Sequence, residues 1–106
     1  MVTEVNQSDF HQAMEGLALV DFWAPWCGPC KKMAPVFEKL SAQYGEHPKF
    51  FKVNVDDNPE LAERHGVSGI PCLILLRNGK ELYRIVGYYP EDALKQKIDE
   101  GVALAR

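Results

Sequence analysis

Cys27 and Cys30 stand three positions apart in the segment Trp26-Cys27-Gly28-Pro29-Cys30, directly after the apolar run Leu17 to Phe22. At the first turn of a helix, positions i and i+3 share one face, so both sulfurs reach bonding distance without unwinding the backbone. Such a pair can cycle between dithiol and disulfide, which is redox chemistry. The first turn also presents free backbone N–H groups and the positive end of the helix dipole, which favour a thiolate at Cys27. Cys27 is therefore the expected nucleophile.

The same spacing is half of a zinc site, which Cys72 and His65 would have to complete. Structural zinc sites usually supply a second closely spaced pair, and the chain has none, so no metal is expected. Three cysteines are also too few for a disulfide scaffold, and in a reducing compartment they favour a catalytic or metal role over structural stapling. Met1 to Phe10 lacks the basic start and apolar stretch of a signal peptide, and no apolar run is long enough to span a bilayer, so a cytoplasmic protein is expected. The net charge of -3 is evenly spread, with 5 basic and 6 acidic side chains in residues 1 to 53 and 7 and 9 in residues 54 to 106. No basic stripe invites nucleic acid or an anionic membrane. At 106 residues and 46% apolar content the chain suits one domain, residues 1–106, and a monomer is expected.

The elements that must position the pair follow from turn and cap signals. A short strand is expected around Thr3 to Val5, then a helix capped by Ser8 and ended by Gly16, then a buried strand at Leu17 to Phe22 suited to the middle of a parallel sheet. A helix from about Cys27 to Tyr44 places Met33, Val36, Phe37, Leu40 and Tyr44 on one face and stops at Gly45, with a kink expected at Pro35. Phe50 to Val55 reads as a strand, and Asn58-Pro59 opens a short helix closed by Gly66. Strands at Cys72 to Leu76 and Glu81 to Val86 are joined by Asn78-Gly79, a strong hairpin signal. Pro90 opens a last helix with Leu94, Ile98 and Val102 on one face. This is an α/β pattern in which helical crossovers make parallel neighbours and the hairpin adds an antiparallel edge. Ligands in such sheets bind outside the carboxyl ends of strands, where the cysteines lie.

Asp21-Phe22-Trp23-Ala24, Trp26-Cys27-Gly28-Pro29-Cys30-Lys31, Gly69-Ile70-Pro71, Asn78-Gly79 and Gly87 together resemble the thioredoxin family over nearly the whole chain. The resemblance implies a thioredoxin fold, a mixed five-stranded sheet flanked by four helices. It also implies a protein-disulfide reductase in which Cys27 attacks a substrate disulfide and Cys30 resolves the mixed disulfide. The implied partners are disulfide-containing proteins and a flavoprotein thioredoxin reductase that restores the dithiol. Asp21 matches the family's buried aspartate, the proton acceptor for Cys30, and Lys52 matches its nearby lysine. Pro71 matches the cis-proline that faces the dithiol, and Trp26, Ile70 and Gly87 would form the apolar docking surface. Gly28 and Pro29 set a rigid turn suited to reduction.

Set beside these are simpler readings. Burial in an apolar strand would raise the Asp21 pKa toward a working range, which favours function over a satisfied turn aspartate. Lys52 is either an edge-facing lysine or a partner for Asp21. Pro71 could be an ordinary strand-start proline, a role the family match displaces. Trp23 suits core packing, whereas Trp26, among polar, Gly and Pro residues, should be exposed. His11, His47 and His65 are expected as solvated surface residues, and Lys31 and Lys32 as a wet helix face adding positive potential near the thiolate.

Cys72 departs from the family, which usually carries threonine there. It reads first as a small buried hydrophobe and, as the sharper alternative, as a third redox thiol able to pair with Cys27. Tyr88 and Tyr89 place bulky aromatics at a docking edge that usually carries smaller residues. A non-catalytic subunit that holds a partner on the same surface is the rival function, but it would have no need of Cys30. An oxidase or isomerase would usually carry histidine in place of Gly28-Pro29.

Overall fold

A computed structural model describes residues 1–106. The chain runs β1 (Val2–Glu4), a 3-10 helix (Phe10–Met14), β2 (Leu17–Trp23), α1 (Gly28–Tyr44), β3 (Lys49–Asn54), α2 (Pro59–Arg64), β4 (Cys72–Arg77), β5 (Lys80–Val86) and α3 (Glu91–Ala103). The five strands form one mixed sheet in the order β1-β3-β2-β4-β5. β3 is parallel to both β1 and β2, and β4 is antiparallel to β2 and β5. The α/β class and the five strands are as expected. Three α-helices, not four, flank the sheet.

The missing helix is the one expected to begin at Ser8. Asn6 Oδ1 accepts from the N–H groups of Ser8 at 2.9 Å and Asp9 at 3.2 Å, and Ser8 Oγ donates to Asn6 Oδ1 at 2.6 Å. These local bonds build a turn around Asn6 and leave Ser8 no helix to cap, so the following residues make only a 3-10 helix. α1 runs through Pro35 to Tyr44, and Gly45, at φ +64°, ends it. Asn58 precedes α2 without capping it; its side chain accepts from Gln7 N–H at 2.9 Å and donates to Asn54 O at 3.0 Å, tying the helix start to the β1 loop.

A second correction concerns β4, which enters antiparallel to β2 although a helical crossover was expected to make it parallel. α2 has six residues, about 9 Å of axial travel, whereas a six-residue strand is about 20 Å long. The helix is too short to carry the chain back across the sheet. β4 therefore starts where β3 finished, with Cys72 opposite Phe22 at the carboxyl end of β2. That short return brings Ile70-Pro71 to the same end of the sheet as the cysteines.

Alternation along β2 divides the core. Ala18, Val20 and Phe22 pack with Phe10, Leu61, Cys72 and Ile74 on the face covered by the 3-10 helix and α2. Leu19 packs with Met33, Phe37, Leu40, Leu94 and Ile98 on the face covered by α1 and α3. By the period of two, Asp21 and Trp23 share the face of Leu19. His65 is half-buried, its ring centroid 5.3 Å from that of Phe10 and 5.8 Å from that of Phe22. Packing against two phenylalanines, it is not the solvated residue expected, and burial pulls its pKa down. The two-residue turn Asn78-Gly79 has positive φ at both positions (49° and 83°), the combination a tight hairpin of this twist requires. No helix is long and apolar enough to cross a membrane.

Candidate active site

β2 ends at Trp23, and Ala24 to Trp26 turn the chain into α1. Cys27 is the N-cap of that helix, with Gly28 and Pro29 its first residues. A proline there costs nothing, because the first N–H groups of a helix have no partner within it, and its fixed φ suits the turn. Cys27 and Cys30 are joined by a disulfide across 5.2 Å between Cα atoms. The Cys27 Sγ also accepts from the Cys30 N–H at 3.2 Å, a backbone donor placed to favour negative charge on that sulfur. Cys27 is only 4% exposed, although Gly28 and Pro29 beside it are exposed.

The Ile70-Pro71 bond is cis, and Cys27 Sγ lies 3.9 Å from the Ile70 carbonyl oxygen. The Pro71 carbonyl accepts from Gly87 N–H at 2.9 Å, which brings Gly87, at φ +98°, to the same rim. Trp26 is 68% exposed on the other side of Cys27, and its Nε1–H donates to Asp56 Oδ1 at 3.1 Å. Between them a groove of about 430 Å³ is lined by Trp26, Val55, Pro59, Ala62, Val67 and Ile70 together with the polar Glu63 and Ser68. Asp56, which the sequence did not single out, lies two residues beyond β3 and reaches the rim through that bond to Trp26. Tyr88 and Tyr89 pack against the core beneath α1 and α3, with Lys32 Nζ 4.7 Å from the Tyr88 ring and Lys97 Nζ 4.8 Å from the Tyr89 ring.

Behind the disulfide, Asp21, Trp23, Cys30, Phe37, Glu38 and Lys52 line a cavity of about 110 Å³. Asp21 is 4% exposed, and neither its Oδ1 nor the Trp23 Nε1 has a hydrogen-bond partner. Burial lifts the Asp21 carboxyl from an ordinary 3.8 to about 7, with the positive charge of Lys52 pulling the other way. Lys52 is paired with Asp21 across the parallel β2–β3 ladder, yet its Nζ sits 5.4 Å over the Trp23 ring and forms no ion pair with the carboxylate. A carboxyl poised near neutrality beside a thiol can exchange a proton with it at physiological pH.

Cys72 is 1% exposed and lies on the α2 face of the sheet, opposite the face of Asp21. Burial pushes its thiol pKa up. The structure thus brings together Asp21, Trp26, Cys27, Gly28, Pro29, Cys30, Lys52, Ile70, Pro71 and Gly87, and sets Cys72 behind the sheet. No three His, Cys, Asp or Glu side chains are grouped so as to hold a metal ion.

Residues 1–100 match the family model described as Thioredoxin. The chain is 42% identical over 100 residues to Thioredoxin of Bacillus subtilis, covering 94% of this chain and 96% of that one. It is 43% identical over 103 residues to Thioredoxin of Listeria monocytogenes, covering 96% and 100%, and 41% identical over 100 residues to Thioredoxin of Staphylococcus aureus, covering 93% and 96%. Agreement of this extent, in a chain whose Cys27 and Cys30 close a disulfide at the head of α1, shows that it belongs to the thioredoxin family of thiol–disulfide oxidoreductases.

Proposed function

We propose that the chain, acting as one domain over residues 1–106, is a cytoplasmic protein-disulfide reductase that a thioredoxin reductase returns to the dithiol form. The observation that carries this reading is the Cys27–Cys30 disulfide backed by a buried Asp21 whose carboxyl titrates near 7. In the reduced protein the Cys27 thiolate attacks one sulfur of a substrate disulfide. A Cys27–substrate disulfide forms, the substrate disulfide breaks, and its other sulfur leaves as a thiolate that takes a proton. Asp21 accepts the Cys30 proton, and the Cys30 thiolate attacks Cys27 Sγ. The Cys27–Cys30 disulfide forms and the second substrate thiol is released, so two electrons have passed from the enzyme to the substrate. Trp26, Ile70, Pro71 and Gly87 supply the docking rim, Gly28 and Pro29 the turn that holds the sulfurs, and Lys52 the charge that trims the Asp21 pKa. Cys72 serves as core.

The test is turnover on a disulfide-bonded protein with a chemical reductant as electron source. The wild type should turn over, Cys27→Ser should be inactive, and Cys30→Ser should stall as a mixed disulfide whose mass equals enzyme plus substrate. Wild-type rates in Cys30→Ser, or any activity in Cys27→Ser, would remove the assigned roles.

A further inference from the structure

The segment Val67 to Pro71 carries one side of the docking rim and is held at its two ends. At one end Val67 N–H donates to Ala62 O at 3.0 Å; at the other, Pro71 O accepts from Gly87 N–H at 2.9 Å. The N–H groups of Ser68, Gly69 and Ile70 make no backbone hydrogen bond. Its fixity therefore depends on what grips its ends: Gly87, just past β5, holds one, and the end of α2, itself held by Arg84 of β5, holds the other.

Arg84 lies on β5 opposite Ile74, which places it on the α2 face of the sheet. Its Nη2 donates to the His65 carbonyl at 2.5 Å and its Nη1 to the Gly66 carbonyl at 3.0 Å, the backbone that ends α2. The same guanidinium holds Glu81 in two bonds, Nε to Oε2 at 2.8 Å and Nη2 to Oε1 at 2.7 Å. Only a planar fork of five N–H donors makes both grips at once; a lysine ammonium does not have that shape. Those bonds hold the Glu81 carboxyl below its usual pKa, so the pair stays charged at neutral pH. Beyond Gly66 the chain reaches Gly69, where a Cβ would stand 3.3 Å from Val86 Cγ1, two residues along the same strand from Arg84.

We propose that Arg84, oriented by Glu81, is a positioning residue for substrate docking. By tying the carbonyls at the end of α2 to β5, it fixes the Ile70-Pro71 rim against Cys27 and so governs recognition of protein disulfides without touching the reacting sulfurs. The proposal rests on the protein-disulfide reductase reading. A rim atom 3.9 Å from the Cys27 sulfur leaves little tolerance, and a displacement of about 1 Å is enough to impair a positioned reaction.

Three variants separate positioning from mere stabilisation. Arg84→Met keeps the apolar stem and removes the guanidinium, Arg84→Lys keeps the charge and removes the fork, and Glu81→Gln removes the charge that orients it. Each is assayed with a disulfide-bonded protein and with a small aryl disulfide, whose contacts stop at the sulfurs. For Arg84→Met the KM for the protein should rise about ten-fold with kcat held within about two-fold, the aryl disulfide rate unchanged and exchange of the hydrogen-bonded Val67 and Gly87 amides accelerated. Arg84→Lys should not restore the protein KM, and Glu81→Gln should shift it the same way by less. If Arg84→Met does not fold, the other two carry the same readouts. An unchanged protein KM with only a lower Tm, or equal losses on both substrates, would overturn the proposal. A wild type that reduces the aryl disulfide but no protein disulfide would overturn the reductase reading itself, and the proposal with it.

Discussion

Replacing Asp21 with asparagine should stabilise the protein, and the gain should appear only as the pH rises. Asp21 is buried, its Oδ1 has no partner, and its carboxyl is lifted from 3.8 to about 7. Between those values the native state holds a proton that the unfolded state has released, so wild-type stability falls with pH across that window. At about 1.4 kcal/mol per pH unit, the penalty reaches about 4 kcal/mol above pH 7 and vanishes below pH ~4. Asparagine keeps the shape and never ionises. Urea unfolding of the oxidised protein should therefore show Asp21→Asn more stable than wild type by about 2–4 kcal/mol at pH 8, the lower bound allowing for the unpaired amide. Below pH ~4 the gain should be gone, leaving the variant no more stable than wild type, with the m-value unchanged. A difference independent of pH would refute the reasoning, because burial of the charge would then not be its source. So would a difference that shrinks as the pH rises from 4 to 7.

The same carboxyl should shape the kinetics. In the proposed mechanism Asp21 accepts the Cys30 proton only when ionised, so resolution of a preformed mixed disulfide should accelerate as pH rises through about 7, and stopped-flow measurement on Asp21→Asn should lack that limb. Cys72→Ser buries a hydroxyl among apolar side chains and should cost about 1–3 kcal/mol by thermal unfolding, while the Cys27/Cys30 reduction potential stays as in wild type; a moved potential would make Cys72 part of the redox circuit. Gly101→Ala sets a Cβ 2.8 Å from Tyr83 Cδ2 and 3.2 Å from Leu75 Cδ2. Despite the better helix propensity of alanine, it should lower stability by about 1–2 kcal/mol, seen as a lower Tm with disulfide reduction intact.

Much of this site was legible before the structure because its parts are local. The pair at 27 and 30, the proline in the first turn and the apolar run before them specify strand, turn and helix within fourteen residues, and the cap and hairpin signals place the remaining elements to within a few positions. What stayed hidden depends on pairing between distant segments. The face on which Asp21 points is set by alternation in β2, but that it meets Lys52, and that Cys72 faces away from it, follow from the β2–β3 and β2–β4 registers. Arg84 gave no signal at all, since an arginine in an edge strand is ordinary; its meaning lies in the end of α2, eighteen residues earlier. The 3-10 helix was misread for a local reason, because Ser8 and Asn6 compete to organise the same turn. His65 was misread because its phenylalanine neighbours come from other elements.

The tension at Asp21 explains an otherwise unfavourable arrangement. An apolar residue between Leu19 and Trp23 would complete the α1 face and remove an unpaired buried oxygen, so by packing alone position 21 is poorly filled. A full ion pair with Lys52 would also repair it, and the ladder places Lys52 directly alongside. Yet such a pair would hold the carboxyl ionised far below neutrality, leaving it too weak a base to take a proton from a thiol. The Lys52 ammonium instead lies over the Trp23 ring, close enough to temper the desolvation of Asp21 and too far to cancel it. A carboxyl near 7 is the net of burial, which raises it, and the Lys52 charge, which lowers it, and in the proposed mechanism that is the value at which it can take the Cys30 proton in one half of the cycle and return it in the other.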